Sequence, residues 1–117
     1  MLPRQYRLKN NLAFKATYKV KNSSHKGGVT LFVGLPKKDE NQPTRVGFVV
    51  SKKTHKRAVK RNRLKRLIRE SYRTLWKEKQ TGKVEQYMSL IFLGTDRALE
   101  KSYNEIKMIV KELIERF

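Results

Sequence analysis

The stretch from residue 51 to residue 73 reads SKKTHKRAVKRNRLKRLIRESYR, and the rest of the chain is organised around it. From Lys52 to Arg73 it carries eleven Lys or Arg residues and a single acid, Glu70. A mostly apolar stripe at helical spacing begins in this stretch and extends just past it, formed by Leu64, Leu67, Ile68, Ser71, Tyr72 and Leu75. Since residues three and four apart share one side of a helix, this pattern predicts an amphipathic helix that docks on a core.

The polar residues of this basic helix fall into two sets. One set lies opposite the apolar stripe and consists of Asn62, Arg66, Arg69 and Arg73. The other is a row along one border of the stripe, in which Arg61, Lys65 and Arg69 are spaced four residues apart. A cationic row at such a border can line a groove instead of pointing into bulk water.

The start of the basic helix, expected to run from about Thr54 to Lys79, is crowded with cations. Thr54 is the one good capping residue nearby, and the surrounding cations are Lys52, Lys53, Lys56, Arg57, Lys60 and Arg61. The first turn of a helix presents partial positive charge and favours acids. We therefore expect a polyanion to supply the missing negative charge.

Composition narrows the class of protein. The length of 117 residues fits one domain, over residues 1–117, and a hydrophobic content of 38% suffices for a core. A net charge of +19 points to nucleic acid or an anionic membrane. Without cysteine the chain has no disulfide framework, which fits the cytoplasm. No apolar run approaches the roughly 20 residues that a membrane span requires.

The other elements follow from periodicity and turn residues. In chain order we predict a basic arm over residues 1–9, a helix from Asn10 or Asn11 to about Lys19, strands over 29–35 and 44–51, the basic helix, a strand over 87–94, and a last helix capped by Thr95 or Asp96. A short strand near Asn22 to Ser24 would add a fourth. Because a helix separates the last two long strands, some parallel pairing is expected in an α+β fold.

Two aromatic residues of the first helix lie off its main apolar stripe. Phe14 and Tyr18 are four residues apart, whereas the stripe consists of Leu12, Ala13, Ala16 and Val20. Such rings stack on bases in proteins that bind single strands. A second layer of core could equally cover them, and the pattern alone leaves both alternatives open.

Nothing in the sequence predicts a self-contained enzyme. His25 and His55 both lie in Lys-rich polar segments without metal-ligand spacing, so we expect exposed loop or helix-start residues. The chain has no phosphate-binding loop, dinucleotide fingerprint or nucleophile motif. The basic helix could also be a solvated face, a membrane-surface helix or a DNA-reading helix. Self-repulsion of the charges argues against an idle solvated face, the sheet needs the apolar stripe that a membrane would bind, and no helix-turn-helix pair precedes the helix. RNA or DNA binding is therefore the favoured class.

Two segments carry a resemblance to a known family. RVGFVVSKK at 45–53 and KRNRLKRLIRESYR at 60–73 resemble the protein subunit of bacterial ribonuclease P, and the similarity extends over RLKNNLAFKATYK at 7–19, the last strand and the final helix. The resemblance implies an α-β sandwich of order αβββαβα, of the ribosomal protein S5 domain 2-like type. It also implies a left-handed βαβ crossover around the basic helix, against the usual right-handed rule.

The same resemblance implies a function. An RNA subunit with bound Mg2+ would cleave the 5′ leader from precursor tRNA, and the protein, one copy per RNA in the cytoplasm, would bind both RNAs without a catalytic residue or metal site of its own. The RNA-binding residues would be Arg61, Asn62, Arg63, Lys65, Arg66 and Arg69, with Lys52, Lys53, Lys56 and Arg57 beside them. Phe14, Tyr18 and Phe32 would line a cleft for the single-stranded leader.

Three departures and two rival functions accompany this resemblance. Many family members have a Gly-containing turn where this chain has THKR at 54–57, and Tyr18 and Phe32 replace the aromatics commoner at their positions. A general RNA chaperone or ribosome-associated binder would bind precursor and mature tRNA alike. A self-sufficient ribonuclease would use His25 or His55.

Overall fold

A computed structural model describes residues 3–117, so the first two residues of the predicted basic arm lie outside it. The helices are α1 (Asn11–Lys19), α2 (Ala58–Lys77) and α3 (Tyr103–Glu115). The strands are β1 (Asn22–Lys26), β2 (Val29–Val33), β3 (Arg45–Val50) and β4 (Ser89–Gly94), and short 3-10 turns occupy Arg4–Tyr6, Val84–Gln86 and Asp96–Ala98. The predicted order αβββαβα is confirmed, including the short strand near Asn22.

The four strands form one mixed sheet in the order β1-β2-β4-β3. β1 pairs with β2 and β2 with β4 in antiparallel fashion, whereas β3 lies parallel to β4, with Val46 opposite Leu90. α2 connects these two parallel neighbours, so the predicted crossover around the basic helix is confirmed. Its left-handed sense stays a prediction of the resemblance.

One face of the sheet, the closed face, is covered by α2 and α3. The Phe92 ring lies at its centre, 5.5 Å from the ring of Tyr72 and 5.8 Å from that of Phe48. Burial, and then the negative charge of Glu85, raises the pKa of the Tyr72 phenol. α3 contributes Ile106, Val110 and Leu113 to this core, and all three are fully buried.

α2 begins four residues later than predicted, and Thr54 does not cap it. Arg57 occupies the cap position without a side-chain bond. Instead, Nδ1 of His55 accepts the Arg57 N–H at 3.0 Å, and the guanidinium of Arg61 donates to the carbonyls of His55 and Lys56. Side-chain bonds therefore hold the residues before α2 in a turn. Because of this turn, the helix does not extend back to Thr54.

The cap predicted for the last helix is also wrong. Thr95 and Asp96 belong to a 3-10 turn, where the Thr95 hydroxyl donates to the Gly28 carbonyl. Ser102 caps α3, and Glu105 completes a capping box. The box satisfies two free N–H groups at once, and these bonds to Ser102 lower the pKa of the Glu105 carboxyl. Within residues 3–117, no helix is both long and apolar enough to cross a bilayer.

Candidate nucleic-acid interface

The other face of the sheet, the open face, is crossed by α1 alone among the three helices. α1 begins at Asn10, whose side-chain oxygen accepts the Leu12 N–H as the sequence predicted. Along α1, Phe14 lies over Gly47 of β3, Thr17 bonds Ser89 of β4, and Tyr18 meets a ring of β2. The helix therefore runs across three strands and buries only part of the face.

The apolar stripe predicted for α1 does not face the core. Leu12 is 72% exposed and Ala16 is also exposed, whereas Thr17 is buried. The reason lies in the sheet beneath: a glycine and a serine, Gly47 and Ser89, leave room for the Phe14 ring and a hydroxyl partner for Thr17. A Cβ atom on Gly47 would lie only 2.5 Å from Phe14, so the absence of a side chain at Gly47 permits this close approach.

The three predicted cleft residues lie together on the open face. The Tyr18 and Phe32 rings meet edge to face, with their centroids 4.9 Å apart, and Phe14 lies on the same flank of α1. None is fully buried, and Tyr18 remains 36% exposed. Partial burial raises the pKa of the Tyr18 phenol. Each of the three rings therefore keeps part of its surface accessible.

The cationic row of α2 reaches this aromatic flank at the β3 edge. Lys65 and Arg69 line a groove of about 230 Å3 together with Phe14 and Phe48. The third member of the row, Arg61, is not a lining residue because its guanidinium is used at the start of α2. Sequence reasoning missed the opposite wall, formed by Arg7, Leu8 and Lys9. Leu8 reaches it through a bond to the Val46 carbonyl, a tertiary contact that leaves no periodic signal.

The consecutive residues Arg61, Asn62 and Arg63 lie on different sides of α2. Arg63 donates to the Leu99 carbonyl at 3.0 Å and to the Lys101 carbonyl at 3.5 Å, on the flank that faces α3. Asn62 and Arg66 are exposed on the outer side of the helix. The structure therefore brings Lys65 and Arg69 to the cleft, leaves Asn62 and Arg66 facing solvent, and holds Arg63 against the protein.

Charge is distributed unevenly over the molecule. Lys52, Lys53, Lys56 and Arg57 are exposed in the turn before α2. Across the described residues, Lys65, Arg66 and Arg69 form no ion pair, whereas Arg73 lies 3.7 Å from Glu70. Four of the ten acids, in contrast, lie on or just before α3: Glu100, Glu105, Glu112 and Glu115. The outer side of α2 therefore presents uncompensated positive charge to a polyanion.

Both histidines have a hydrogen-bond partner at Nδ1. His25 lies on strand β1 rather than in the loop that was expected, with Nδ1 2.7 Å from the Thr30 hydroxyl. His55 accepts a backbone N–H in the turn before α2. Over residues 3–117, no three His, Asp or Glu side chains group together as a metal site would require.

Solved structures define the class to which this fold belongs. The chain is similar to the RNase P protein of Staphylococcus aureus, with a TM-score of 0.76 and 25% identity over 95% of this chain and 94% of that one. The RNase P protein of Thermotoga maritima matches in fold, with a TM-score of 0.74 over 95% and 96% of the two chains at 20% identity. The mixed sheet with its basic crossover helix is thus the fold of RNase P proteins.

Sequence relatives place the chain more narrowly. The family model described as Ribonuclease P matches residues 2–117. The ribonuclease P protein component of Clostridium kluyveri is 40% identical over 111 residues, which cover 95% of this chain and 93% of the relative. That of Symbiobacterium thermophilum is 36% identical over 98% and 93% of the two chains. The chain belongs to the ribonuclease P protein family, as its sequence motifs predicted, and so to a tRNA-processing ribonucleoprotein.

Proposed function

We propose that the chain binds the RNA subunit of ribonuclease P through α2 and holds the single-stranded 5′ leader of precursor tRNA on the open face. One observation carries the proposal: the half-exposed rings of Phe14, Tyr18 and Phe32 lie on a flank that meets the cationic groove of Lys65 and Arg69. Rings that stack on bases beside cations that follow the backbone are the means by which proteins hold single strands.

The outer side of α2 has a different task in this proposal. Asn62 and Arg66 are exposed on the outer side of the helix and would contact folded RNA through its phosphates, and the exposed cations of residues 52–57 would add phosphate contacts before α2. Arg63 contributes indirectly, because its guanidinium already binds the carbonyls before α3. Each neutralised phosphate releases counterions, so affinity falls steeply as salt rises.

The chemistry of cleavage belongs, in this proposal, to the RNA subunit and its magnesium ions. The protein contributes charge neutralisation, which lets two polyanions come together, and it positions the leader. It does so as one copy per RNA in the bacterial cytoplasm, without a catalytic side chain. The side-chain bonds already made by His25 and His55 agree with this assignment.

The test compares precursor tRNA with and without its leader, bound by protein assembled on a bacterial ribonuclease P RNA. Stacking contributes about 1 to 3 kcal/mol per base. We therefore expect the leader to raise affinity at least about tenfold, and a Phe14→Ala, Tyr18→Ala double variant to lose that gain. A Phe117→Ala variant, which removes a partly buried ring paired with Tyr87 away from the cleft, should keep it.

Two other results would replace the proposal. Equal affinity for both tRNAs in the wild-type protein would favour a general RNA chaperone, which the exposed charge of α2 alone would serve. Cleavage by RNA-free protein that disappears in a His25→Ala or His55→Ala variant would indicate a self-sufficient ribonuclease.

A further inference from the structure

The flank of α1 opposite Phe14 and Tyr18 covers a second cavity. Ala13, Ala16 and Thr17 form its roof, and Gly34, Met88 and Ser89 lie among the sheet residues below. Its volume is about 410 Å3, which falls within the range of small-molecule sites. The cavity is separate from the cleft because none of its lining residues is Phe14, Tyr18 or Phe32.

The walls of this cavity are suited to a flat, largely apolar group. Leu8, Leu35 and Met88 contribute apolar surface, and two of these remain unusually accessible, Leu35 at 60% and Met88 at 41% exposure. Gln42 adds an amide that can donate and accept hydrogen bonds. Apolar walls with a few polar groups are the usual composition of a site that takes a ring.

A cationic cradle adjoins the cavity at the start of α1. Arg4, Lys9 and Arg45 line it with Arg7 and Asn10, and it shares Leu8, Ala13 and Arg45 with the cavity itself. No acid lines either depression; Glu40 and Glu85 line a third one, beyond Gln42 and Pro43. Desolvation, and then the positive charges of Arg4 and Arg7, lower the pKa of Lys9, as expected where cations converge.

The cradle also adjoins the groove of Lys65 and Arg69. Arg7, Leu8 and Lys9 line both, so the groove, the cradle and the cavity adjoin one another in series from the Phe14 side, around the first turn of α1, to the opposite flank. A single strand held at Phe14 can follow these depressions with its backbone along the cations. The last of them, the cavity, is apolar and has room for a base.

We propose that this cavity is a second nucleotide subsite, which takes a base between α1 and residues 34–35 and 88–89 while Arg4, Lys9 and Arg45 contact the adjoining phosphate. Its ligand is single-stranded RNA, namely leader nucleotides beyond those held by Phe14, Tyr18 and Phe32. The inference rests on the proposed leader-binding function and extends it to longer leaders. The single α1 helix then separates two base-binding sites.

The experiment measures the affinity of the assembled ribonucleoprotein for precursor tRNAs with a graded series of leader lengths. Wild-type affinity should keep rising with length after the cleft is filled. Ala16→Leu fills the cavity at an exposed helix position with another good helix former. Arg45→Ala removes a cation from the cradle. Each should stop the rise at the shorter leaders and weaken binding of the longest leader about tenfold, as loss of one stacked base would.

Two controls make the result specific. Lys111→Ala removes an exposed cation on α3, distant from these depressions, and should follow the wild-type length profile. An abasic nucleotide placed where the wild-type gain occurs should reproduce the Ala16→Leu loss and add nothing to it, since both remove the same contact.

The outcomes separate the two proposals. If Ala16→Leu and Arg45→Ala keep the wild-type length profile, or if the wild-type gain ends with the short leaders, the second subsite is wrong while leader binding in the cleft stands. If the leader gives no gain at any length, leader binding and the subsite are both wrong.

Discussion

The two faces of the sheet carry the same kinds of side chain in opposite circumstances. On the closed face, Phe92 of β4 and Tyr72 of α2 are both buried, with their rings in contact. On the open face, Phe14 and Tyr18 of the nine-residue α1 and Phe32 of β2 keep part of their ring surface exposed. Aromatic content therefore does not separate core from site in this protein. What separates them is how much secondary structure remains to cover each face.

The basic residues on the two flanks of α2 also differ in whether the protein already binds them. Arg63, on the α3 side of α2, is bonded to backbone carbonyls. Lys65 and Arg69, on the side of α2 that reaches the open face, make no ion pair with any described residue. One flank of α2 thus holds the fold together while the other remains available to a ligand. The predictions below test that division, beginning with the largest effect.

Phe92→Ala should destabilise the protein most. The ring is fully buried, so its removal should cost about 4 kcal/mol of unfolding free energy. Phe32→Ala, on the open face, should cost clearly less because that ring is only partly buried. Urea denaturation of both variants measures the difference. Equal losses would mean that the open face is as much a core as the closed one.

Gly47→Ala should damage the open face while the fold persists. The new Cβ would lie 2.5 Å from the Phe14 ring, which must move, at a cost of about 2 kcal/mol. Leader affinity should fall with it, as measured by binding of precursor tRNA. Gly82→Ala is the control, since no atom lies within 4 Å of its new Cβ. Unchanged leader affinity in Gly47→Ala would show that the position of Phe14 does not matter.

Alanine substitutions on the two flanks of α2 should have different effects, one on RNA binding and the other on stability. Lys65→Ala and Arg69→Ala should each weaken RNA binding by about 1 kcal/mol and leave unfolding unchanged. Each should also reduce the salt slope by roughly 0.7, the value for one contact to a single strand. Arg63→Ala should instead lower unfolding free energy by about 1 kcal/mol. Wild-type affinity and salt slope in Lys65→Ala and Arg69→Ala would contradict the groove.

Glu112→Gln should have the smallest effect, and only at neutral pH. The hydrogen bond from Lys26 chiefly, together with its charge and that of Arg116, lowers the pKa of the Glu112 carboxyl below 4.5. The folded state therefore gains stability from the carboxylate above pH 4.5 and loses it as the pH falls through the lowered pKa. Thermal melts at pH 7 and pH 3 should differ between wild type and variant at the higher pH alone.

Sequence reasoning was most accurate where pattern and packing coincide. The stripe of α2 through Leu64, Ile68 and Leu75 is fully buried, so periodicity identified this helix. The fold class came from two motifs rather than from periodicity, and the comparisons with known proteins confirmed it. Phe14, Tyr18 and Phe32 lie on the open face, and their role in leader binding stays a prediction of that resemblance.

The errors share a cause. α1 was expected to bury its leucine and alanines, yet Gly47 and Ser89 of distant strands decide which flank faces the sheet. The start of α2 depends on bonds from Arg61 to the preceding turn rather than on a cap by Thr54. Ser102 rather than Thr95 or Asp96 caps α3. The wall formed by residues 7–9 depends on one bond to β3. Each of these features is fixed by tertiary contacts, which periodicity within a segment does not contain.

The position of β4 in the chain affects how the protein is made. β4 bonds both β2 and β3, but it is the last strand to be synthesised, after the whole of α2. Until residues 89–94 leave the ribosome, β3 lacks its strand partner and the apolar stripe of α2 lacks part of the sheet on which it packs. Folding must therefore wait for most of the chain, as long-range pairing requires. During that interval the most basic segment, residues 52–73, has no complete sheet on which to dock.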